Sequence, residues 1–248
     1  MSYPIFALWA HPRSMSTALE RLMRNRPDCH VFHEPFLGKY YNQIGKDVPG
    51  VEMAAFDVNY AEVRDRIVSQ GEISPVFVKD MSYHVLPEFF DDTAFCDRLN
   101  HVFLIRDPRK SIPSVHKQDE GLTLNEVGYE AQWKQYQFIA NRSPENELVV
   151  EAEDIGRDTE TMMQRIWVFC GFDNCPKALN WEGKPFPKEL RIVQDWHENL
   201  KNSAGIYRDE RDPNAVFSAA VGAAPKLGAV LEHHKPFFEK LRSNECAA

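Results

Sequence analysis

Apolar runs and helical stripes alternate along this chain. Ile5 to Ala10 is an unbroken apolar run, the pattern of a strand buried on both faces. Met15, Ala18, Leu19, Leu22 and Met23 then recur at helical spacing, which predicts a helix closed by Pro27. Val31 and Phe32 predict a short second strand, and Tyr60, Val63 and Ile67 a helix. Pro75 to Lys79 reads as a third strand and Val102 to Ile105 as a fourth. Thr123 and Glu126 have capping-box spacing ahead of Tyr129, Trp133 and Tyr136, so a helix is predicted there. Leu148 to Val150 predicts a fifth strand. Asp158 is placed to cap a helix with Met162, Met163, Ile166, Trp167 and Cys170 on its apolar face, and Gly171 as a left-handed stop. Beyond Gly171 the pattern weakens. Leu190, Val193, Trp196 and Leu200 predict a helix, and Ser203 to Pro225 reads as irregular. The alternation predicts an α/β fold, a mostly parallel central sheet flanked by helices, as one domain over residues 1–248.

Composition narrows the function classes. A hydrophobic content of 43% suffices for a core, and a net charge of −8 argues against a general nucleic-acid binder. The five cysteines are odd in number, scattered and without a CxxC pair, which fits reduced thiols in the cytoplasm better than a disulfide framework. Cys29 and Cys170 sit among apolar residues and read as core. The start MSYPIFALWAHPRS lacks a basic segment ahead of a long apolar run, so no signal peptide is expected. The apolar stretch Val216 to Leu231 is broken by Pro225 and Lys226, and no membrane span is expected. His233 and His234 are adjacent and diverge on a helix; both are read as surface, and no metal site is expected from any spacing.

Two strand-turn-helix units carry the candidate chemistry. Strand ends in a parallel sheet meet helix N-termini there, whose unpaired amides attract anions. The first turn, His11-Pro12-Arg13-Ser14-Met15-Ser16-Thr17, offers amides, three hydroxyls and one guanidinium. It lacks the GxxxxGK[ST] pattern of an ordinary ATP- or GTP-binding loop, and a Ser-rich helix cap is its plain structural alternative. In the second, HVFLIRDPRKSIPSVHK, Asp107 is a good N-cap and Pro108 a good first helical residue. Arg106 is then expected at the strand end with Ser114 near the Pro113 bend, as a phosphate clamp. Arg106, Arg109, Lys110 and Lys117 concentrate positive charge along this stretch, although a solvated helix face would look similar.

These residues resemble those of sulfotransferases that use 3′-phosphoadenosine 5′-phosphosulfate (PAPS). HPRSMST resembles that family's 5′-phosphosulfate loop, and Arg106 with Ser114 in RDPRKSIPS its 3′-phosphate clamp. His33-Glu34-Pro35-Phe36 is similar to the acidic motif of bacterial members, and VVEAEDIGRDTETMMQRIWVFCGF to a following strand and helix around Glu153-Asp154-Ile155. The resemblance covers roughly residues 4 to 172. Three positions depart from it. Met15 stands where many members have glycine, so a less tightly curled loop is expected. Arg13 stands where animal cytosolic members have lysine, and Ala152 where many have an adenine-contacting tyrosine.

The resemblance implies sulfuryl transfer from PAPS to a hydroxyl or amine of a small-molecule acceptor, without metal. Arg13, Ser14, Met15, Ser16, Thr17, Arg106 and Ser114 would bind PAPS, and Arg13 would also meet charge on the leaving phosphate. Glu34 and His84 are the candidate bases, with His11 and His33 behind them; an ordinary loop histidine is the plainer reading of His84. Glu34 is expected beside the first loop, extended because Pro35 follows it, with its pKa raised by the nearby sulfate. The C-terminal third, about residues 173–248, is expected to shape the acceptor pocket, and homodimerisation is left open. A P-loop small-molecule kinase and a non-catalytic protein that binds PAPS's bisphosphate product (PAP) are the alternatives.

Overall fold

The computed structural model describes residues 2–48, 51, 53–56, 58–188, 190 and 203–244. Five strands, β1 (Ile5–Ala10), β2 (His30–His33), β3 (Val76–Met81), β4 (Asn100–Ile105) and β5 (Glu147–Glu151), form one sheet in the order β2-β3-β1-β4-β5. Every pairing is parallel. The three central strands β3, β1 and β4 are almost wholly buried because helices cover both faces. On one face Phe6, Leu8, Val102 and Leu104 pack on α1 (Ser16–Arg24) through Leu19 and Leu22. On the other, Ile5, Ala7, Trp9 and Phe103 pack against Val63, Phe95 and Ile139.

The remaining α-helices among the described residues run from four to sixteen residues. They are α2 (Leu37–Ile44), α3 (Tyr60–Gln70), α4 (Ser82–Val85), α5 (Glu88–Asp91), α6 (Thr93–Arg98), α7 (Pro108–His116), α8 (Leu124–Val127) and α9 (Tyr129–Arg142). After β5 come α10 (Ala152–Arg157), α11 (Thr159–Phe169), α12 (Pro213–Ala223) and α13 (Leu227–Arg242). Asp107 caps α7 by accepting from the Arg109 amide at 2.9 Å, with Pro108 in its first turn. Thr123 and Glu126 form their capping box on α8, and the chain restarts as α9 after Gly128 rather than running through as one helix.

Chain order and spatial order diverge at one place. From β1 the chain builds outward to β2 and returns through β3; it then crosses β1 to reach β4 on the other side. The crevice between the ends of β1 and β4 is the switch point at which parallel sheets bind ligands. Gln132 on α9 ties this crevice together, donating to the carbonyls of Trp9 and Leu104 at 3.0 Å each.

Two expectations change here. The stretch Ser203 to Pro225 is not wholly irregular. It contains α12, started by Asp212, which accepts from the amides of Asn214 and Ala215, and by Pro213. His233 is exposed and pairs with Glu130 at 3.0 Å, but His234 is fully buried beside Tyr129, because adjacent helical positions face different sides. In the sheet β2 pairs with β3, which lies between it and β1. Val193, Trp196, Leu200 and Cys246 lie outside the described residues. Among the described residues no helix is long and apolar enough to cross a membrane, and Cys29, Cys96, Cys170 and Cys175 are free thiols.

Candidate active site

The turn after β1 is tightly curled. Arg13 has φ 63° and Met15 φ 75°, so Met15 takes the left-handed conformation that a glycine would take at no steric cost. The expected looser loop is therefore corrected: methionine adopts the same curl at a cost on the order of 1–3 kcal/mol per strained residue. Among the described residues, the only other non-glycine residue with positive φ is Glu34, at 40°. All three line one cavity of about 690 Å³ at the β1–β4 crevice. Strain concentrated around one cavity points to a site that demands it.

Buried groups lock the two turns to each other. The Arg106 amide donates to His11 Nε2 at 3.2 Å, and Tyr129 donates from its hydroxyl to the Arg106 carbonyl at 2.6 Å. Burial drives the His11 pKa down to about 3, so the ring stays neutral and can accept. Gly128 has φ 94°, and a Cβ there would come within 2.9 Å of the His11 Cβ. His11 thus serves as a brace between the turns, and neither it nor His33 lines the cavity. His33 instead meets Glu20 at 2.6 Å, which in turn pairs with Arg24.

Arg13, Ser114 and Arg106 converge. Arg13 donates from Nε to Ser114 Oγ at 2.9 Å, and Arg106 donates from Nη1 to the Arg13 carbonyl at 2.9 Å. Burial first, and the Arg106 charge second, lower the Arg13 pKa. Ser14 Oγ and Arg106 Nε are buried without a hydrogen-bond partner among the described residues. Ser16 and Thr17 open α1, where helix geometry gives their amides no intrahelical acceptor. This wall therefore presents donors and positive charge, the chemistry of an anion site.

The opposite wall comes from β2 and β3. Glu34 is not extended. It turns left-handed, and its amide donates to the Lys79 carbonyl at 2.7 Å. Its carboxylate meets the fully buried Lys79 ammonium in a very short ion pair. Burial alone would raise the Glu34 pKa, but Lys79, then His33 and His84, bring it down to about 2. The expected upward shift is thus reversed, and a carboxylate held this low is a poor proton acceptor. Glu34→Gln should leave a buried lysine unpaired and cost about 3 kcal/mol or more of stability. The pair's stabilisation is complete above the unfolded carboxyl pKa of 4.5 and fades as pH falls from there towards about 2. Urea unfolding of both proteins at neutral and acid pH checks this: the two curves should approach each other as pH falls.

His84 has a different setting. It is buried on α4, not on an exposed loop, and its Nδ1 lies 2.6 Å from Asp80 Oδ1. Asp80 also accepts from the amides of Met81 and Phe36, each at 2.8 Å. A carboxylate oxygen only accepts, so Nδ1 carries the hydrogen that points at Asp80, and Nε2 is the ring nitrogen left outside that bond. His84 Nε2 is buried, without a partner among the described residues, and His84 lines the cavity. Leu37, Tyr41, Val48, Val51, Met81 and Tyr83 supply the apolar wall around it.

Most of the named residues thus meet at one cavity: Arg13, Met15, Ser16, Thr17, Glu34, His84, Arg106 and Ser114 all line it. The sequence reading missed Asp80 as the partner of His84, although their four-residue spacing after a strand was visible. It also missed Asp209, which lines the cavity against Arg106.

A family model described as a sulfotransferase domain matches residues 5–224. No curated protein matches the chain by sequence. Among solved structures, the sulfotransferase of Alicyclobacillus acidocaldarius aligns at 14% identity and a TM-score of 0.48, over 92% of this chain and 96% of that one. The sulfotransferase domain of the Synechococcus PCC 7002 olefin synthase aligns at 16% identity and 0.46, over 90% and 95%. Mouse sulfotransferase SULT7A1, solved with PAP, aligns at 14% identity and 0.45, over 96% and 82%.

Proposed function

The chain belongs to the sulfotransferase family, and from that premise we propose that it transfers a sulfuryl group from PAPS to a hydroxyl or amine of a small-molecule acceptor. One observation carries the residue assignment: the two anion turns share a single cavity, with Arg13 bonded to Ser114 and Arg106 to the Arg13 carbonyl. The wall fits a bisphosphate nucleotide. Its Arg106 Nε is a buried donor without a partner among the described residues, and its strained turn opens α1; the Ser14 hydroxyl is also buried and unpartnered among them, but Ser14 is not among the residues that line the cavity. In this reading Arg13 to Thr17 bind the 5′-phosphosulfate end, and Arg106 with Ser114 bind the 3′-phosphate. PAPS supplies the activated sulfuryl group and the phosphate that leaves with its charge.

The chain's own residues supply the rest. Arg13 meets the charge that grows on the leaving phosphate. His84 Nε2 takes the proton of the acceptor hydroxyl, while Asp80 holds the ring through Nδ1–H. Glu34, held by its ion pair with the buried Lys79, lines the cavity on the β2–β3 side. Apolar side chains around His84 exclude water, which strengthens each charged contact. Residues of the C-terminal third, including Ser203, Ile206 and Val216, line the same cavity and would help choose the acceptor within one domain. The free thiols favour a reducing compartment, the cytoplasm.

The test is a pair of nucleotides. PAP should raise the melting temperature well above the effect of adenosine 5′-monophosphate, which lacks the 3′-phosphate. Arg106→Ala should weaken PAP about tenfold or more, since a charge-assisted hydrogen bond is worth about 1.5–3 kcal/mol. Equal shifts with both nucleotides would remove the clamp, and no transfer of label from PAPS to any acceptor in a screen would remove the activity.

A further inference from the structure

One carboxylate in the cavity lining, Asp209, takes no part in the transfer proposed above. Residues 206–211 run without helix or strand between the Trp181 anchor on Ala204 and the start of α12. Asp209 in this segment sits on the proposed 3′-phosphate clamp. Arg106 donates from Nη2 to Asp209 Oδ2 at 2.6 Å. Lys110, one turn into α7 and nearly buried, donates to the Asp209 carbonyl at 2.8 Å, with its Nζ 4.0 Å from Oδ2. Arg211 closes the carboxylate from the solvent side with two bonds of 2.8 Å. Three cations therefore surround one carboxylate, whose pKa is lowered, by the Arg211 hydrogen bond first.

Arg106 and Lys110 together form a site for more than this one carboxylate. Arg106 Nε is buried without a hydrogen bond, and its nearest carboxylate on that side, Glu153 Oε1, is 3.8 Å away. Glu153 stands equally far from Lys110, at 3.9 Å, and both its carboxylate oxygens lack a hydrogen-bond partner among the described residues, so it satisfies neither cation's donors. Donor capacity thus remains unfilled beside Asp209.

We propose that Asp209 is a chain-borne stand-in for the nucleotide's 3′-phosphate: it occupies Arg106 and Lys110 in the free protein and gives them up when PAP or PAPS binds. The proposal rests on the nucleotide reading given above. A phosphate monoester carries roughly −1.5 to −2 charge and three acceptor oxygens, against one charge and two oxygens on a carboxylate, so it wins the exchange. Nucleotide binding then moves residues 206–211, which line the acceptor cavity, and Lys110 becomes a third group on the 3′-phosphate beside Arg106 and Ser114. Nucleotide and acceptor sites would be coupled through this one displaced segment.

Isothermal titration with PAP and with adenosine 5′-monophosphate tests the exchange. Asp209→Asn, which keeps the shape and removes the charge, should bind PAP about tenfold more tightly than wild type, the equivalent of one charge-assisted hydrogen bond no longer broken. Asp209→Ala should shift the same way. The monophosphate, which has no 3′-phosphate to place, should change by less than about twofold. On an Arg106→Ala background the gain from Asp209→Asn should vanish. PAP affinity unchanged or weakened in both Asp209 variants would overturn the proposal and make Asp209 a support that orients Arg106. No PAP binding by wild type or either variant would instead overturn the nucleotide reading, and this proposal with it.

Discussion

Replacing His84 with alanine is expected to lower turnover by about 10²–10⁴-fold, the usual span for a positioned general base, while PAP binding stays close to wild type. The expectation follows from one ring with two unlike nitrogens. Nδ1 is committed to Asp80, a carboxylate fixed by two backbone amides, so the ring cannot turn without breaking its bond to a partner that stays in place. Nε2 is buried with no partner among the described residues, a state that costs free energy unless a ligand pairs with it. Added imidazole should restore part of the His84→Ala rate, which a purely structural role would not allow. Asp80→Asn should lower kcat by less than His84→Ala, because the ring remains but its tautomer is no longer dictated. Glu34→Gln serves as the contrast: its defect should appear in stability, with turnover per folded molecule much less affected. If His84→Ala keeps full turnover in single-turnover assays, the base lies elsewhere.

Local signals account for what the sequence showed of this fold. Strand runs such as Ile5–Ala10 and caps such as Asp107 and Asp158 are complete within a few residues, so their elements are legible without tertiary context. The helix Pro213–Ala223 escaped for a specific reason. Its sequence PNAVFSAAVGA is apolar nearly all round and buries no residue fully, so it shows no stripe against a polar face. The Asp212-Pro213 start was the available sign. Site residues on the two anion turns were readable because each turn is a short motif. Glu34 was misjudged because the lysine that sets its charge is 45 residues away, and spacing says nothing of that pairing. Asp209 stands 103 residues from Arg106, beyond any local pattern. Met15 shows the limit of residue type as a guide: the tertiary frame imposes left-handed φ on a methionine.

Arg13→Ala is expected to lower kcat by about 10²–10³-fold, the cost of removing one donor from developing charge, and to weaken PAP far less. The backbone itself should tolerate the change. Arg13 holds φ 63° now, and alanine pays the same steric cost there as arginine, so the loop keeps its path. The lost group is the guanidinium bonded to Ser114 and packed near Arg106. Two buried guanidinium groups in one wall repel each other, and an anion between them relieves that repulsion. Relief grows as negative charge collects on the leaving phosphate, so Arg13 contributes more to the transition state than to the bound product. Its removal should therefore lower kcat and kcat/KM together with little change in PAP affinity. Arg13→Lys should recover part of the rate, since it restores the charge but not the Nε bond that aims it at Ser114. A loss confined to KM would make Arg13 a binding residue only, and unchanged turnover would take this loop out of the reaction.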